Sequence, residues 1–299
     1  MTKTIKYLIT GADGQLGQCL VRRFEENTES VILALSHHEL DICNKQSVFK
    51  IFLDFKPDVV INTAAYTNVD LSETLTSLAH NVNVEGVKNL SEASKQTDSI
   101  LFHISTDYVF NGQIDDNYVY KESDKPEPLS VYGKTKYEGE RIALSLNPKT
   151  VVIRTAWTFS EYGHNFVKTI LKLAREQNEL NIVSDQFGGP TYAGDIAVAL
   201  INISQQIISG KHNAFGIYHF TGKPYVSWYE FAKAILMEAE LQKVIEKSPI
   251  VNSITSGDYL KPAKRPRNSC LDLTKIKQVF DIEPSNWPQA LKNIKGYIS

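Results

Sequence analysis

Tyr132 and Lys136 stand four residues apart, a spacing that sets a phenol and an ammonium on one face of a helix. A phenol can hand a proton to an oxygen that is gaining charge, and a nearby cation lowers the phenol's pKa for that task. The spacing alone is cheap, because Tyr229 and Lys233 repeat it. Context separates the two pairs. Tyr132 follows the turn-rich Lys125-Pro-Glu-Pro128 and lies between two strand-like runs, where the carboxyl edge of a parallel sheet presents ligand sites. Tyr229 shares its segment with Phe231, Ile235 and Leu236, an apolar stripe that reads as core. Ser105-Thr106-Asp107-Tyr108 closes one of the strand-like runs, and a hydroxyl there can donate to a carbonyl. In this reading Thr106 polarises a ketone, Tyr132 protonates the oxygen as it becomes an alkoxide, and Lys136 lowers the phenol's pKa while holding a nicotinamide ribose.

Gly11-Ala-Asp-Gly14-Gln15-Leu16-Gly17 follows the first strand-like run and opens a helix. Glycines let the chain turn sharply and approach a pyrophosphate, whose charge meets free N–H groups at the helix start. The spacing is GxxGxxG, not GxGxxG, so its placement carries the dinucleotide-binding reading. After the second run, Ser36-His37-His38 offers neither the acid that selects NAD nor an arginine that selects NADP. NADPH is therefore expected, with NADH accepted as well. In Leu40-Asp41-Ile42, Asp41 is placed either to reach the adenine amino group or to cap the next helix, and Ile42 joins it on the cofactor side.

The elements that must hold these groups alternate. Near-continuous apolar runs at 6–10, 31–35, 58–65, 99–106 and 150–157 suit strands buried on both faces, with helical stretches between them. Leu16, Leu20 and Phe24 make one helix stripe, and Val48, Ile51, Phe52 and Phe55 make another that Lys56-Pro57 ends. The first half reads as repeated βαβ units around a parallel sheet. Beyond residue 157 helices are expected near 165–177, 193–209, 228–240 and 287–297, with strands near 181–184 and 216–221. Residues 244–267 read as a loop suited to wrapping a ligand or to lying bare on the surface. The expected division is 1–154 for dinucleotide binding and 155–299 mainly for substrate, with some segments returning to the first core.

Composition narrows the class. The chain has 299 residues and a formal net charge of −2, so the one dense basic stretch, residues 261–267, makes no nucleic-acid surface. Cys19, Cys43 and Cys270 form no metal-ligand or disulfide pattern. No apolar run approaches a membrane span, and residues 1–6 lead straight into a strand. The expected compartment is the cytoplasm.

The motifs GADGQLG, NTAAYTNVD, STDYVF, YGKTK, RTAW and DQFGGPT, in that order over nearly the whole chain, resemble the extended short-chain dehydrogenases. Within them the chain is similar to the dTDP-4-dehydrorhamnose reductase family. The resemblance implies a Rossmann-type, doubly wound α/β fold with a smaller mixed α/β substrate-binding region. It also implies NAD(P)H-dependent reduction of the 4-keto group of dTDP-4-dehydro-L-rhamnose, a sugar nucleotide, to dTDP-L-rhamnose. By carry-over Thr106, Tyr132 and Lys136 are catalytic, and Ala64, Ala65 and Tyr66 line the cofactor groove. Asn83 orients the active-site segment, while Asp107, Tyr108 and Trp157 sit at the sugar. Arg265, in the RPxxS-like segment, is read as a diphosphate ligand or as part of a solvated basic turn. Trp157 itself suits sugar stacking or burial in a core, and Gln186 and Thr191 suit a ligand or a structural turn.

Other members of the superfamily remain as rivals: another 4-ketoreductase, an epimerase, a dehydratase or a non-catalytic NADP-binding regulatory subunit. A dehydratase needs a glutamate where Tyr108 follows Asp107, and an epimerase favours an acid after the second strand. Intact Thr106, Tyr132 and Lys136 speak against a silent subunit. The resemblance also brings magnesium-bridged dimers, whose metal is held by glutamates from the first helix, from after the DQxGxPT turn and from near the C-terminus. The first two positions here read Cys19 and Gly194. A thiol suits a hard cation poorly and glycine offers no donor. Asp195, one residue on, points about 100° away on a helix. The expectation is no metal, and a monomer or a homodimer held without one.

Overall fold

The apolar runs of the first half become strands, and helices cross between them. In this computed structural model, which describes residues 4–26, 30–113 and 118–298, they are β1 (Lys6–Thr10), α1 (Gln15–Glu25), β2 (Val31–Leu35), α2 (Lys45–Phe55), β3 (Val59–Asn62), α3 (Val69–Ser72), α4 (Thr76–His80), α5 (Val87–Gln96), β4 (Ile100–Thr106), α6 (Val131–Leu146) and β5 (Thr150–Thr155). The second half adds β6 (Thr158–Phe159), α7 (Phe166–Glu176), β7 (Glu179–Val183), β8 (Phe187–Gly188), β9 (Thr191–Tyr192), α8 (Ala193–Ile208), β10 (Gly216–His219), β11 (Val226–Ser227), α9 (Trp228–Leu241), β12 (Ile250–Ile254), α10 (Thr274–Phe280) and α11 (Trp287–Leu291). The reading of residues 1–3 lies outside the described residues.

The main sheet has the order β10-β5-β4-β3-β1-β2, and its neighbours pair in parallel. The chain leaves β1 toward β2 and returns to the opposite side for β3. That reversal opens a crevice at the carboxyl ends of β1 and β3, the usual ligand position in such sheets. On one face Ile9, Ile61, Phe102 and Ile153 pack against Leu16, Leu20 and Phe24 of α1 and Ile196 and Leu200 of α8. On the other, Leu8, Val60 and Leu101 meet Val48 and Phe52 of α2 and Val87 and Leu90 of α5. Each such buried side chain contributes roughly 1.5–3 kcal/mol relative to exposure, so these stripes decide which helix face turns inward. A separate core joins Val167 and Ile170 of α7 to Phe231 and Ile235 of α9 and Trp287 and Leu291 of α11. β10 extends the main sheet and α8 covers it, although both lie beyond residue 154.

Two stretches depart from expectation. Residues 244–267 contain β12, a strand parallel to β7, in place of an unbroken loop. The helix expected over 287–297 is α11 followed by a separate 3₁₀ turn, Ile294–Tyr297. Among the described residues no helix is long and apolar enough to cross a membrane.

Candidate active site

β4 delivers Thr106 to the carboxyl edge of the sheet, and the Thr106 side-chain oxygen accepts the Tyr108 N–H at 3.2 Å. Asp107 and Tyr108 are thereby turned into the crevice in a short 3₁₀ turn. Ser130 caps α6, its Oγ accepting the Gly133 N–H at 3.1 Å, and the Val131 N–H donates to Glu73 at 2.8 Å. Those bonds fix the helix start, so Tyr132 sits in the first turn and Lys136 one turn on. Thr106, Asp107, Tyr108, Tyr132 and Lys136 all line one cavity of about 630 Å³.

The glycine loop forms the opposite wall. Gly11 takes φ 70°, a left-handed conformation that spares a side chain from meeting Ala64. Gly17 packs so closely that a Cβ would stand 2.7 Å from the Ala12 Cα. Gly14 is the N-cap of α1 and supplies no side-chain cap, which leaves first-turn N–H groups open to an anion. Gly14, Gln15 and Leu16 line the cavity, with Ala65 across from them. Gln15 also accepts from Asn165 at 3.0 Å and Ser160 at 3.2 Å, tying the loop to the second half.

Electrostatics in the cavity follow burial. The Tyr132 phenol is pushed up to about 12, chiefly by burial and further by the Asp107 charge, against a hydrogen bond with Thr106. Burial pulls Lys136 down to about 8, opposed by the charge of Glu140. Asp107 is raised to about 6 by burial, opposed by hydrogen bonds that include Ser269 and Thr106. Two expectations change here. Lys136 does not depress the phenol: burial dominates it, and the ammonium donates to the Ile104 carbonyl at 2.6 Å. The Thr106 hydroxyl donates to Asp107 Oδ1 at 3.0 Å, so its single proton must be redirected to reach a carbonyl.

Trp157 lines the cavity stacked on Trp228, which the sequence reading assigned to no site. The signal was present: Ser227 and Glu230 form an S-x-x-E capping box that places Trp228 at the first position of α9. Thr63, Thr155 and His164 also line the cavity unforeseen. Asn83, in a π-helical turn between α4 and α5, accepts the Tyr66 N–H at 2.9 Å and donates to the Tyr66 carbonyl and Thr135 at 3.1 Å each. This holds the segment that carries Ala64, Ala65 and Tyr66 against α6, although Ala64 and Tyr66 are not on the cavity wall.

Several residues lie elsewhere. Asp41 is exposed and accepts the Cys43 N–H at 2.9 Å, and it does not cap α2, because Asn44 does so at 3.1 Å. The Ile42 side chain is buried in the α2–α5 core, and its carbonyl accepts from Asn89 at 3.0 Å. Arg265 stands back from the cavity wall, donating to Asp70 at 2.9 Å and hydrogen-bonded to Tyr108, which does line the cavity. It is thus no solvated turn residue. Gln186 donates to Ser256 at 2.9 Å and Thr191 to the Gly189 carbonyl at 2.8 Å, both structural contacts. Tyr229 and Lys233 contact each other on α9 outside the cavity. The tip after β2 does carry an acid: the chain turns so that Glu39 accepts from the Ser36 N–H and hydroxyl, each at 2.8 Å.

A second, smaller cavity of about 140 Å³ joins Cys19, Gly194 and Asn293 with Arg22, Glu161 and Tyr192. Its two carboxylates are engaged by arginines, Glu26 by Arg23 at 3.1 Å and Glu161 by Arg22 at 3.8 Å, which leaves a poor setting for a hard divalent cation. The Cys19 thiol is raised to about 12 by burial, Gly194 has no side chain, and Glu161 is hydrogen-bonded by the Tyr192 hydroxyl at 3.0 Å. Asp195 is turned away, accepting from Ser285 at 2.7 Å.

The RmlD substrate binding domain family matches residues 5–296. A dTDP-4-dehydrorhamnose reductase from Aggregatibacter actinomycetemcomitans is 56% identical over 292 residues, 98% of this chain and 99% of that protein. Among solved structures, a dTDP-4-dehydrorhamnose reductase from Clostridium acetobutylicum is 36% identical with a TM-score of 0.88, covering 97% of this chain and 98% of that one. The Bacillus anthracis enzyme in complex with NADP is 32% identical over the same shares, also with a TM-score of 0.88.

Proposed function

We infer, from the premise that this chain belongs to the RmlD substrate binding domain family, that it reduces the 4-keto group of dTDP-4-dehydro-L-rhamnose to dTDP-L-rhamnose with NADPH. The observation that carries the mechanism is the convergence of Thr106, Tyr132 and Lys136 on one cavity whose other wall is the glycine loop. Bound there, NADPH supplies a hydride to the carbonyl carbon. The open first-turn N–H groups at Gln15 and Leu16 suit its pyrophosphate, and Lys136 suits the nicotinamide ribose. As O4 gains charge, Tyr132 gives it a proton, and its raised pKa keeps that proton in place at neutral pH. Thr106 orients O4 once its hydroxyl turns from Asp107 to the substrate. Residues 1–154 serve the cofactor side, and 155–299 mainly the sugar, which meets Asp107, Tyr108 and Trp157. Arg265 is released from Asp70 to the diphosphate.

NADH is accepted as well, less efficiently than NADPH. The enzyme works without a metal, as a monomer or as a homodimer not bridged by one, in the cytoplasm. The experiment is a Tyr132→Phe variant assayed beside Tyr229→Phe with NADPH and the keto sugar nucleotide. Tyr132→Phe should bind NADPH and lose about 10²- to 10⁴-fold in turnover, and Tyr229→Phe should match the wild type. Equal losses at the two positions overturn the assignment.

A further inference from the structure

Trp157 and Trp228 lie 71 positions apart by number (228 less 157), yet their indoles lie flat on one another, with ring centroids 3.5 Å apart and planes 8° from parallel. Both line the main cavity. Trp157 has φ 45°, a left-handed conformation that a bulky side chain keeps only when its surroundings fix it. Three contacts do so. The Trp157 carbonyl accepts the Thr191 N–H at 3.2 Å. Gly188 lies so close to one edge of the indole that a Cβ there would stand 2.7 Å from Cε2. Trp228 covers one face, and Trp157 still contributes to the cavity wall.

Trp228 is itself seated firmly. The Ser227 hydroxyl oxygen accepts the Glu230 N–H at 3.1 Å, and Glu230 accepts the Ser227 N–H at 2.7 Å, which fixes the first turn of α9. Phe166 of α7 packs on its ring with centroids 4.5 Å apart. The stack thus runs from the helical core of the second half out to the cavity wall.

We propose that Trp228 is a positioning residue for the sugar: it holds the Trp157 indole flat at the wall, ready for the C–H face of a deoxyhexose. This rests on the reading of Trp157 as a sugar contact. A preformed wall spares the bound state the cost of ordering a loose indole, so its loss weakens the grip on the sugar while the nucleotide and NADPH are held as before.

The test measures KM for the keto sugar nucleotide and for NADPH, dTDP affinity and near-ultraviolet circular dichroism. The variants are Trp228→Leu, Trp228→Phe, Trp157→Ala and the double Trp157→Ala/Trp228→Leu. Trp228→Leu keeps apolar volume in the core but cannot stack; Trp228→Phe keeps a flat ring and folds if the leucine variant does not. Trp228→Leu should raise the sugar-nucleotide KM about tenfold and abolish the dichroism of the stacked indoles. NADPH KM and dTDP affinity should stay unchanged, Trp228→Phe should restore most of the loss, and adding Trp228→Leu to Trp157→Ala should change nothing further. If Trp157→Ala raises the KM and Trp228→Leu does not, or if the two effects add fully, the positioning role is overturned. If Trp157→Ala leaves the KM unchanged, the sugar reading of Trp157 fails and the proposal fails with it.

Discussion

Lys136 is the residue whose charge the reaction is most exposed to. Its pKa is pulled down to about 8 by burial, so the ammonium form is lost as pH rises through that value, whereas Tyr132 stays protonated until about 12. The kcat/KM profile should therefore fall above about pH 8, and Lys136→Arg, which stays charged, should abolish that limb while lowering the rate. A limb that persists in the variant belongs to another group. Glu39 bears on cofactor choice in the same local way. Its carboxylate is committed to Ser36 at the tip of β2 and held below the usual carboxylate range by those bonds. Glu39→Gln should raise kcat/KM for NADPH relative to NADH, which comparing both cofactors in variant and wild type checks. Tyr132 and Lys136 were legible in sequence because their relation is local, one helical turn. Glu39 was not, because a turn carries it back onto Ser36, and neither was the pairing of Arg265 with Asp70, because 195 positions separate them.

At the scale of elements, the site depends on how α1 and α6 are seated. Gly17→Ala would push a Cβ into the Ala12 backbone, an overpacking that costs about 1–3 kcal/mol and tilts the N–H groups aimed at the pyrophosphate. The expected outcome is a lower melting temperature together with a larger NADPH dissociation constant, read by calorimetry and fluorescence. α6 is locked to β5 by Glu140 and Arg154, a bidentate pair at 2.9 and 2.7 Å whose side chains are 0% and 1% exposed. Arg154→Met strands a buried carboxylate and should destabilise the fold by roughly 3–5 kcal/mol, while Glu140→Leu/Arg154→Met should recover much of that, as denaturant titration would show. β1, β2 and β4 stood out in sequence because their apolar runs are nearly unbroken. β12 did not, since Asn252 and Ser253 interrupt a strand that is only partly buried. The 287–297 periodicity carried on past a real break, where Asn293 and Gly296 fall between Leu291 and Tyr297.

At the scale of the whole molecule, the parallel sheet brings two sets of groups together from opposite directions. The glycine loop comes from the end of β1 and the acid–base groups from the ends of β4 and α6, and the second half closes over both with Trp157 and His164. The smaller cavity at Cys19 and Gly194 lies apart from this centre, and its carboxylates, Glu26 and Glu161, are paired with Arg23 and Arg22. Turnover should survive EDTA, with the mass by light scattering unchanged; a chelator-induced fall in both would show that a metal holds the active assembly. In the proposed reaction hydride passes from NADPH to C4 of the sugar, and only the hydroxyl proton comes from water. This transfer is tested most directly by turning over the keto sugar nucleotide with NADPH deuterated at the transferred position, in ordinary water, and locating the label by mass spectrometry and NMR. One deuterium is expected on C4 of dTDP-L-rhamnose and none elsewhere, with NADP formed in equal amount; product without label at C4, or cofactor left unconsumed, would show that NADPH is not the hydride donor to C4.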